Sequence, residues 1–297
     1  MIGKSPCEEL TPEQKVTIFL EALPYVQKFR DSIFVIKYGG AAMEDPFLVE
    51  QTLRDVVLLE AVGINPLIIH GGGESINKAM KKRGLNPQFV NGIRITNKEL
   101  ISLIQEVLSL EIGPFITQKI IEYGGKAVFV PGQEVFQATK WEALSDQGIP
   151  IDYGYVGSIV NVELQPLLKL LHNQFIAVVS PLAKAHNGDI YNVNADIAAS
   201  KMAGFIKAKK LIYLSNTNGI LEDEKDPFSR ISVINKERIS ILKQKGVIHG
   251  GMIPKVDSAL EALEAGVEKV HFLDGRMPHA LLLEIFTDKG IGTEIVL

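Results

Sequence analysis

Two lysines stand beside glycine-rich stretches that lie far apart in the chain. Lys37 ends the apolar run IFVIK and is followed by Gly39 and Gly40 in VIKYGGAAM, while Lys255 stands four residues past Gly251 in VIHGGMIPKVD. A third stretch, PLIIHGGGESINKAMKKRG (66–84), places Gly71, Gly72 and Gly73 where an apolar run gives way to an amphipathic one. Each glycine costs backbone entropy on folding, so three in succession answer a need for bare backbone. A tight turn between strand and helix is one such need. An anion held by backbone N–H groups at a helix start is the other. Lysines next to two of the three loops favour the anion. A lysine ending an apolar strand either reaches solvent or points at the carboxyl edge of the sheet, where open α/β folds bind ligands. Lys255 falls in the first turn of an expected helix, where a cation opposes the helix dipole. It is there either because that turn is exposed or because it has work to do.

YNVNADIAASKMAG (191–204) gathers Asn192, Asn194 and Asp196 just before a helix expected from about Ile197. All three are ordinary cap residues; Asp196 would serve equally as a carboxylate held between two lysines. NGIRIT (91–96) puts Arg94 between apolar neighbours, suited either to fork a ligand carboxylate or to a structural ion pair. No stretch matches G-x-x-x-x-G-K-[ST], which excludes a P-loop NTPase, and none matches G-x-G-x-x-G, which leaves a dinucleotide fold without support.

Several elements must position these groups. Residues 33–37, 66–70, 127–130, 175–179, 210–215 and 269–274 read as buried parallel strands, apolar on both faces. Helical segments fall between most of them. Asp45-Pro46 opens one that Gly63 stops. Thr96-Asn97-Lys98-Glu99 is a capping box for another, with Ile101, Ile104, Val107 and Leu108 at helical spacing. Asn235 caps a third, and Pro254 starts a fourth that Gly266 ends. This alternation predicts an α/β fold with a mainly parallel sheet. Residues 131–160 read as hairpins and loops on one edge, and 222–232 as an exposed charged loop. Ahead of the first strand, Thr11-Pro12-Glu13-Gln14 is a capping box with proline at N1, followed by the apolar stripe Val16, Phe19, Leu20, Leu23 and Val26. Pro24 lies inside it and predicts a kink. The helix either folds onto its own domain or docks as an arm on another subunit.

The 297 residues, 46% hydrophobic, suffice for one large or two modest domains. Net charge is −4 and no Lys/Arg block looks like a nucleic-acid footprint, so that partner class is set aside. The single cysteine, Cys7, permits no intrachain disulfide and suits a reducing compartment. No apolar run approaches the roughly 18 residues of a membrane span. MIGKSPCEELTPEQK resembles neither a signal nor a transit peptide. The expectation is a cytoplasmic protein with no membrane contact.

FVIKYGGAAM, IIHGGGESINKAMKKRGL, FVNGIRIT, YNVNADIAAS, LSNTNGIL and GGMIPKV, in that order over residues 33–297, together resemble the amino-acid kinase family. NGIRIT with NVNAD resembles its members that act on N-acetyl-L-glutamate. The resemblance implies a three-layer αβα sandwich around a mainly parallel sheet, preceded by a kinked N-terminal helix. Residues 1–32 would form that arm, 33–205 the acyl-substrate and dimerisation half, and 206–297 the nucleotide half. It implies ATP-dependent phosphorylation of the side-chain carboxylate of N-acetyl-L-glutamate to an acyl phosphate in arginine synthesis. Mg²⁺ would be bound mainly through the nucleotide phosphates, with no metal site of the protein's own. Carried over by position, Lys37 would sit on the transferring phosphoryl group, Lys255 would neutralise the leaving ADP and Asp196 would orient both. Gly39, Gly40, Gly72 and Gly73 would offer N–H groups to phosphates and reacting carboxylate, while Arg94 and Asn192 would grip the α-carboxylate. Ser215, Asn216 and Gly219 would lie at the nucleotide. Members usually have Asp where Asn216 stands, which leaves the details of nucleotide contact open.

The N-terminal helix resembles the arm of arginine-inhibited members, which links dimers into a hexamer, a trimer of dimers. VHFLDGRMPHALLLEIFTDKGIGTEIVL resembles their arginine-binding region. Lys210, His271, Glu284 and Gly290, with Tyr25 on the arm, are the positions carried over for L-arginine as inhibitor. A PII-type regulator as partner is left undecided by one sequence. Two other readings compete: a kinase of carbamate, aspartate or a nucleoside monophosphate, and a non-catalytic arginine-sensing scaffold. Arg94 argues against the first; Lys37, Asp196 and Lys255 together argue against the second.

Overall fold

The computed structural model describes residues 10–90, 92–144, 148–223, 225–226 and 228–297. Cys7, Asn91 of the NGIRIT stretch, and parts of the loops expected at 131–160 and 222–232 lie outside the described residues. The central sheet contains β1 (Ile33–Tyr38), β2 (Asn65–His70), β3 (Ala127–Val130), β4 (Ile176–Val179), β5 (Lys210–Ser215), β6 (Val233–Asn235), β7 (Lys269–Asp274) and β8 (Thr293–Val296). Their spatial order is β6-β8-β7-β5-β1-β2-β4-β3. Every neighbouring pair is parallel except β7–β8. The six runs expected as strands are β1–β5 and β7. The edge strand β6 and its neighbour β8 were not expected, because VIN and TEIV are not unbroken apolar runs as the four-residue β3 and β4 are.

Side-chain alternation splits the sheet into two cores. Phe34, Ile36, Ile68, Val178, Ile212 and Leu214 face α2 (Pro46–Ala61), α4 (Lys98–Glu122) and α9 (Ala280–Ile285). Val35, Leu67, Ile69, Val179, Leu211 and Tyr213 face α5 (Gln165–His172), α6 (Ala195–Ile206), α7 (Lys236–Gln244) and α8 (Met252–Glu264). These are the three layers. Two further helices are α1 (Pro12–Phe29) and α3 (Gly73–Lys82). Lys37 shares the parity of Val35, so its side chain leaves the sheet toward the layer that contains α6 and α8. The region expected as hairpins carries antiparallel strands Phe136–Lys140 and Gly157–Val162, joined by Leu182–Lys184 and Ile190–Asn192 in a small second sheet.

The expected caps at Thr11, Asp45 and Asn235 are present, each accepting a backbone N–H from its own first turn. Two expected starts shift. Asn97, not Thr96, caps α4 through the N–H of Leu100. Thr96 is fully buried and its hydroxyl donates to the carbonyl of Arg94 instead. α8 starts at Met252, so Pro254 occupies its third position, where a missing N–H still costs nothing. α1 continues through Pro24 to Phe29. Only its last turns pack on the described residues, while Val16, Phe19 and Leu20 are 58%, 79% and 60% exposed, so among the described residues that stripe has no cover. By length and composition α4 is apolar enough to cross a membrane, yet Leu100, Ile104, Val107, Ile116 and Ile120 are buried in the core of this domain.

Phe34 is fully buried and meets the Phe29 ring edge-on at 5.4 Å. Phe34→Ala is expected to cost ~3–5 kcal/mol, read as a lower urea midpoint; a loss below ~1 kcal/mol would contradict this packing.

Candidate active site

β1, β2 and β5 end at the same edge of the sheet, and the loops that follow them close on one another. The N–H of Gly71 donates to the carbonyl of Tyr38 at 2.7 Å. The side-chain oxygen of Asn216, just past β5, accepts the N–H of Ala41 at 2.7 Å. Gly40 has φ +69°, and a Cβ there would lie 2.4 Å from that oxygen, so only glycine fits. The glycine loops are thus fastened by backbone and amide bonds rather than by packing.

Lys37 reaches over Gly39, where a Cβ would meet its Nζ at 2.9 Å. Its ammonium lies 3.0 Å from Oδ1 of Asp196, with the two side chains only 12% and 14% exposed. Asp196 occupies the first turn of α6, whose N-cap Asn194 accepts the N–H groups of Asp196 and Ile197. Lys255 is half-buried in the first turn of α8. Burial holds its pKa below the ordinary lysine value; the Asp196 carboxylate opposes this and the Lys37 ammonium adds to it. Both lysines therefore share the field of one carboxylate. The α6–α8 contact that sets this spacing is polar and tight: Ser200 donates to the carbonyl of Ser258 at 2.6 Å, and the Ser258 hydroxyl donates to the carbonyl of Lys255 at 2.8 Å. The Tyr213 hydroxyl, from β5, lies 2.9 Å from Ser258 and donates to the carbonyl of Asp196 at 3.3 Å.

A cavity of about 230 Å³ opens beside this pair, lined by Lys37, Gly39, Gly40, Gly71, Gly72, Gly73, Arg94, Asn192 and Asp196. That volume suits a small ligand, below the roughly 300–1,000 Å³ of clefts for drug-sized molecules. Gly72 caps α3 and Gly73 opens it. A Cβ on Gly72 would strike Leu108 and Ile112 at 2.5 and 2.8 Å, both on the π-helical turn Val107–Ile112 of α4. Arg94 is 7% exposed. It donates to the side-chain oxygen of Asn77 at 2.7 Å and to the carbonyl of Gly73 at 3.4 Å, and lies 4.6 Å over the Phe89 ring. Burial lowers its pKa, and no carboxylate among the described residues offsets this. Among the described residues it is a buried cation without a counter-ion.

Lys255 lies beyond Asp196, outside the cavity lining. Ser215 is buried, with its hydroxyl on that of Thr217. Gly219 has φ +69°, and a Cβ there would stand 2.4 Å from the hydroxyl of Thr293, so packing alone demands glycine at that position. The sequence reading missed Asn77, Phe89, Val156 and Pro181. Phe89 pairs with Arg94 across the turn at Gly92, which the Asn-Gly dipeptide signals. Asn77 lies one helical turn past Gly73. Nothing local marks Val156 or Pro181.

Tyr25, Lys210, His271, Glu284 and Gly290 line a second cavity of about 240 Å³ at the opposite, amino end of β5. His271 bridges Lys210 at 2.8 Å and Glu284 at 2.7 Å. The other Glu284 oxygen accepts the N–H groups of Ile291 and Gly292. Burial works to raise the Glu284 pKa, but His271 and these N–H groups bring it below the ordinary value. Burial pushes Lys210 down to about 8. The Tyr25 hydroxyl donates to Asp288.

Residues 32–274 match the amino acid kinase family. The chain is 48% identical to the acetylglutamate kinase of Akkermansia muciniphila over 287 residues, covering 95% of this chain and 96% of that one. It is 47% identical to the acetylglutamate kinase of Aquifex aeolicus over 295 residues, covering 96% and 98%. Among solved structures it resembles N-acetylglutamate synthase from Neisseria gonorrhoeae complexed with coenzyme A and N-acetyl-glutamate, with TM-score 0.84 and 24% identity. The match covers 95% of this chain and 63% of that one, and the likeness is one of fold.

Because Arg94 is buried without a carboxylate, Arg94→Met is expected to leave the ligand-free protein as stable as wild type or about 1 kcal/mol more so. Thermal melting without ligand checks this. A clear fall in midpoint would make the guanidinium a structural tie.

Proposed function

We propose that this chain, which belongs to the amino acid kinase family, transfers the γ-phosphoryl group of ATP to the side-chain carboxylate of N-acetyl-L-glutamate in arginine biosynthesis. It is a phosphotransferase with a carboxyl acceptor, as its acetylglutamate kinase relatives are. The observation that carries the substrate reading is Arg94, the buried guanidinium in the small cavity, with no counter-ion of its own. A substrate carboxylate supplies that counter-ion, and Asn192 stands in the same lining to assist. The apolar residues Ile76, Phe89, Ile93 and Leu108 beside it accept methylene and acetyl groups.

The nucleophile is already an anion, so the reaction needs no general base. A carboxylate oxygen attacks the γ-phosphorus, the new O–P bond forms, and the bond to the β-phosphate oxygen breaks to release ADP. The difficulty is electrostatic, since a carboxylate must approach a polyanion. Catalysis of this kind is positioning plus charge stabilisation. Lys37, held by Asp196, meets the transferring group; Lys255 takes the charge that builds on ADP. The N–H groups of the loops at Gly39–Gly40 and Gly72–Gly73 hold the oxygens between them. Mg²⁺ would arrive on the nucleotide and screen its phosphates. The donor set suits that division: two ammonium groups and glycine N–H groups bind phosphate oxygens, and Asp196, the carboxylate lining the cavity, is taken up by Lys37.

The halves on either side of about residue 205 would then hold acyl substrate and nucleotide, in a cytoplasmic enzyme. The second cavity would take L-arginine, its guanidinium on acidic groups such as Glu284 and Asp288. The uncovered stripe of α1 would dock on another subunit of a hexamer. A non-catalytic arginine sensor would need the second cavity but has no use for the Lys37–Asp196 pair.

Lys37→Ala is expected to fold normally and lose on the order of 10²–10³ in kcat, as removal of one such donor does elsewhere. Trapping the acyl phosphate with hydroxylamine measures it, and a mutant at near wild-type rate would remove Lys37 from this role. A hydroxamate formed as readily from free glutamate or aspartate would reject the substrate. Glu284→Gln is expected to raise the arginine concentration for half-inhibition by an order of magnitude or more, as loss of a charge-assisted bond implies; a wild-type rate indifferent to millimolar arginine would end the effector reading.

A further inference from the structure

His70, the last residue of β2, is fully buried directly before the three glycines. Its Nδ1 lies 2.8 Å from the carbonyl oxygen of Gly71. Its Nε2 is enclosed with no partner among the described residues. An unpartnered buried acceptor is a standing cost that an apolar side chain of similar shape would avoid. A histidine kept here must therefore be used at its other nitrogen.

The partner of that nitrogen explains the use. A trans peptide is planar, and its C=O and N–H point in opposite directions. Turning the Gly71 carbonyl in toward the buried ring turns the N–H of Gly72 the other way, toward the cavity that Gly71, Gly72 and Gly73 line. The N–H of Gly71 is already tied to Tyr38. Without the histidine, the carbonyl of Gly71 has no other hydrogen-bond donor among the described residues to hold it. Two successive glycines offer little steric resistance to a flip of the peptide between them. A flip would present a carbonyl oxygen to an anion.

We propose that His70 is a positioning residue for the phosphoryl transfer: its Nδ1–H, donated to the carbonyl of Gly71, locks the Gly71–Gly72 peptide with its N–H turned to the reacting oxygens. This rests on the kinase reading above. The role requires the neutral ring with its proton on Nδ1. Burial secures that, lowering the His70 pKa to about 4 against the opposing pull of the Gly71 carbonyl.

Three variants separate the two nitrogens. Asparagine places an amide NH₂ where Nδ1 stands, glutamine reaches the position of Nε2, and leucine supplies neither. His70→Gln and His70→Leu are expected to lower kcat by on the order of 10- to 100-fold, below the 10²–10³ of losing such a donor outright. The KM for ATP should stay within about threefold, and His70→Asn should hold kcat within about threefold of wild type, the split expected when a transition-state contact is lost. Equal damage from asparagine and glutamine, with matching thermal midpoints, would overturn the proposal, and so would leucine at full rate. If leucine fails to fold, the asparagine–glutamine pair decides.

A second measurement needs no turnover. In protein labelled with ¹⁵N-histidine, assigned through the loss of one signal in His70→Asn, the ring should show a protonated Nδ1 and a bare Nε2 at neutral pH. A proton on Nε2, or a charged ring, would overturn the proposal. The wild-type rate alone tests the reaction, so failure of that reading and failure of this one are told apart.

Discussion

Two ammonium groups will share a half-buried space only if negative charge lies between them. Unit charges about 4 Å apart repel by roughly 4 kcal/mol at an effective dielectric near 20, a large part of the 5–15 kcal/mol that holds a typical domain together. Asp196 supplies the negative charge. It stands 3.0 Å from Lys37 and acts on Lys255 in opposition to Lys37. A triphosphate would do the same more strongly, so the protein with no nucleotide bound carries a weaker version of the charge pattern that the nucleotide completes. The parity of β1, the cap on α6 and the serine contacts between α6 and α8 all serve this three-point arrangement. Were the last of these to slip by one turn, Lys255 would move about 5 Å and leave the carboxylate.

The parallel sheet supplies the other half of the site. Strands that run the same way end at the same edge, so the loops after β1, β2 and β5 meet without long excursions. The loops fasten to one another mainly through backbone N–H groups: Gly71 to the carbonyl of Tyr38, Ala41 to the side-chain oxygen of Asn216, and Gly275, past β7, to the carbonyl of Ser215 at 2.8 Å. Such bonds fix where N–H groups point before any ligand arrives, and donors fixed beforehand pay no reorganisation during reaction. This arrangement also accounts for the residue at 216. Its side-chain oxygen binds the N–H of Ala41, a task an amide performs as well as a carboxylate.

Much of this was legible because local rules and global need coincide. Five of the six expected strands lie where both faces are covered by helices, so their runs are apolar throughout, and Lys37, Gly72 and Asp196 sit at recognisable junctions of strand, loop and helix. What was illegible has a common cause. β6 and β8 are short runs broken by polar residues and exist through their neighbours. Thr96 looked like a cap because Thr-x-x-Glu is a local signature, but its burial beside Arg94 outweighed a cap that Asn97 could make as well. Val156 and Pro181 reach the cavity only through tertiary folding. Ser215 and Gly219, read from a phosphate-like context, also have contacts within the fold: the Ser215 hydroxyl bonds that of Thr217, and glycine at 219 leaves room for Thr293.

The two cavities lie at opposite edges of one sheet, and that geometry limits how they could communicate. β5 begins with Lys210 in the second cavity and ends with Ser215 beside the loop of Asn216. Its five steps of about 3.3 Å separate the two by roughly 17 Å. A fully buried strand paired on both sides has a single arrangement and cannot by itself carry a choice between two states, which coupling requires. α1 differs. Its last turns enter the second cavity with Tyr25 and Phe29, while its earlier turns expose an apolar stripe that nothing among the described residues covers. A ligand in that cavity would act on an element whose earlier turns have no cover among the described residues. Under the proposed assembly, any influence on the distant site would be exerted through how subunits pack, with the sheet acting as a rigid frame between the two.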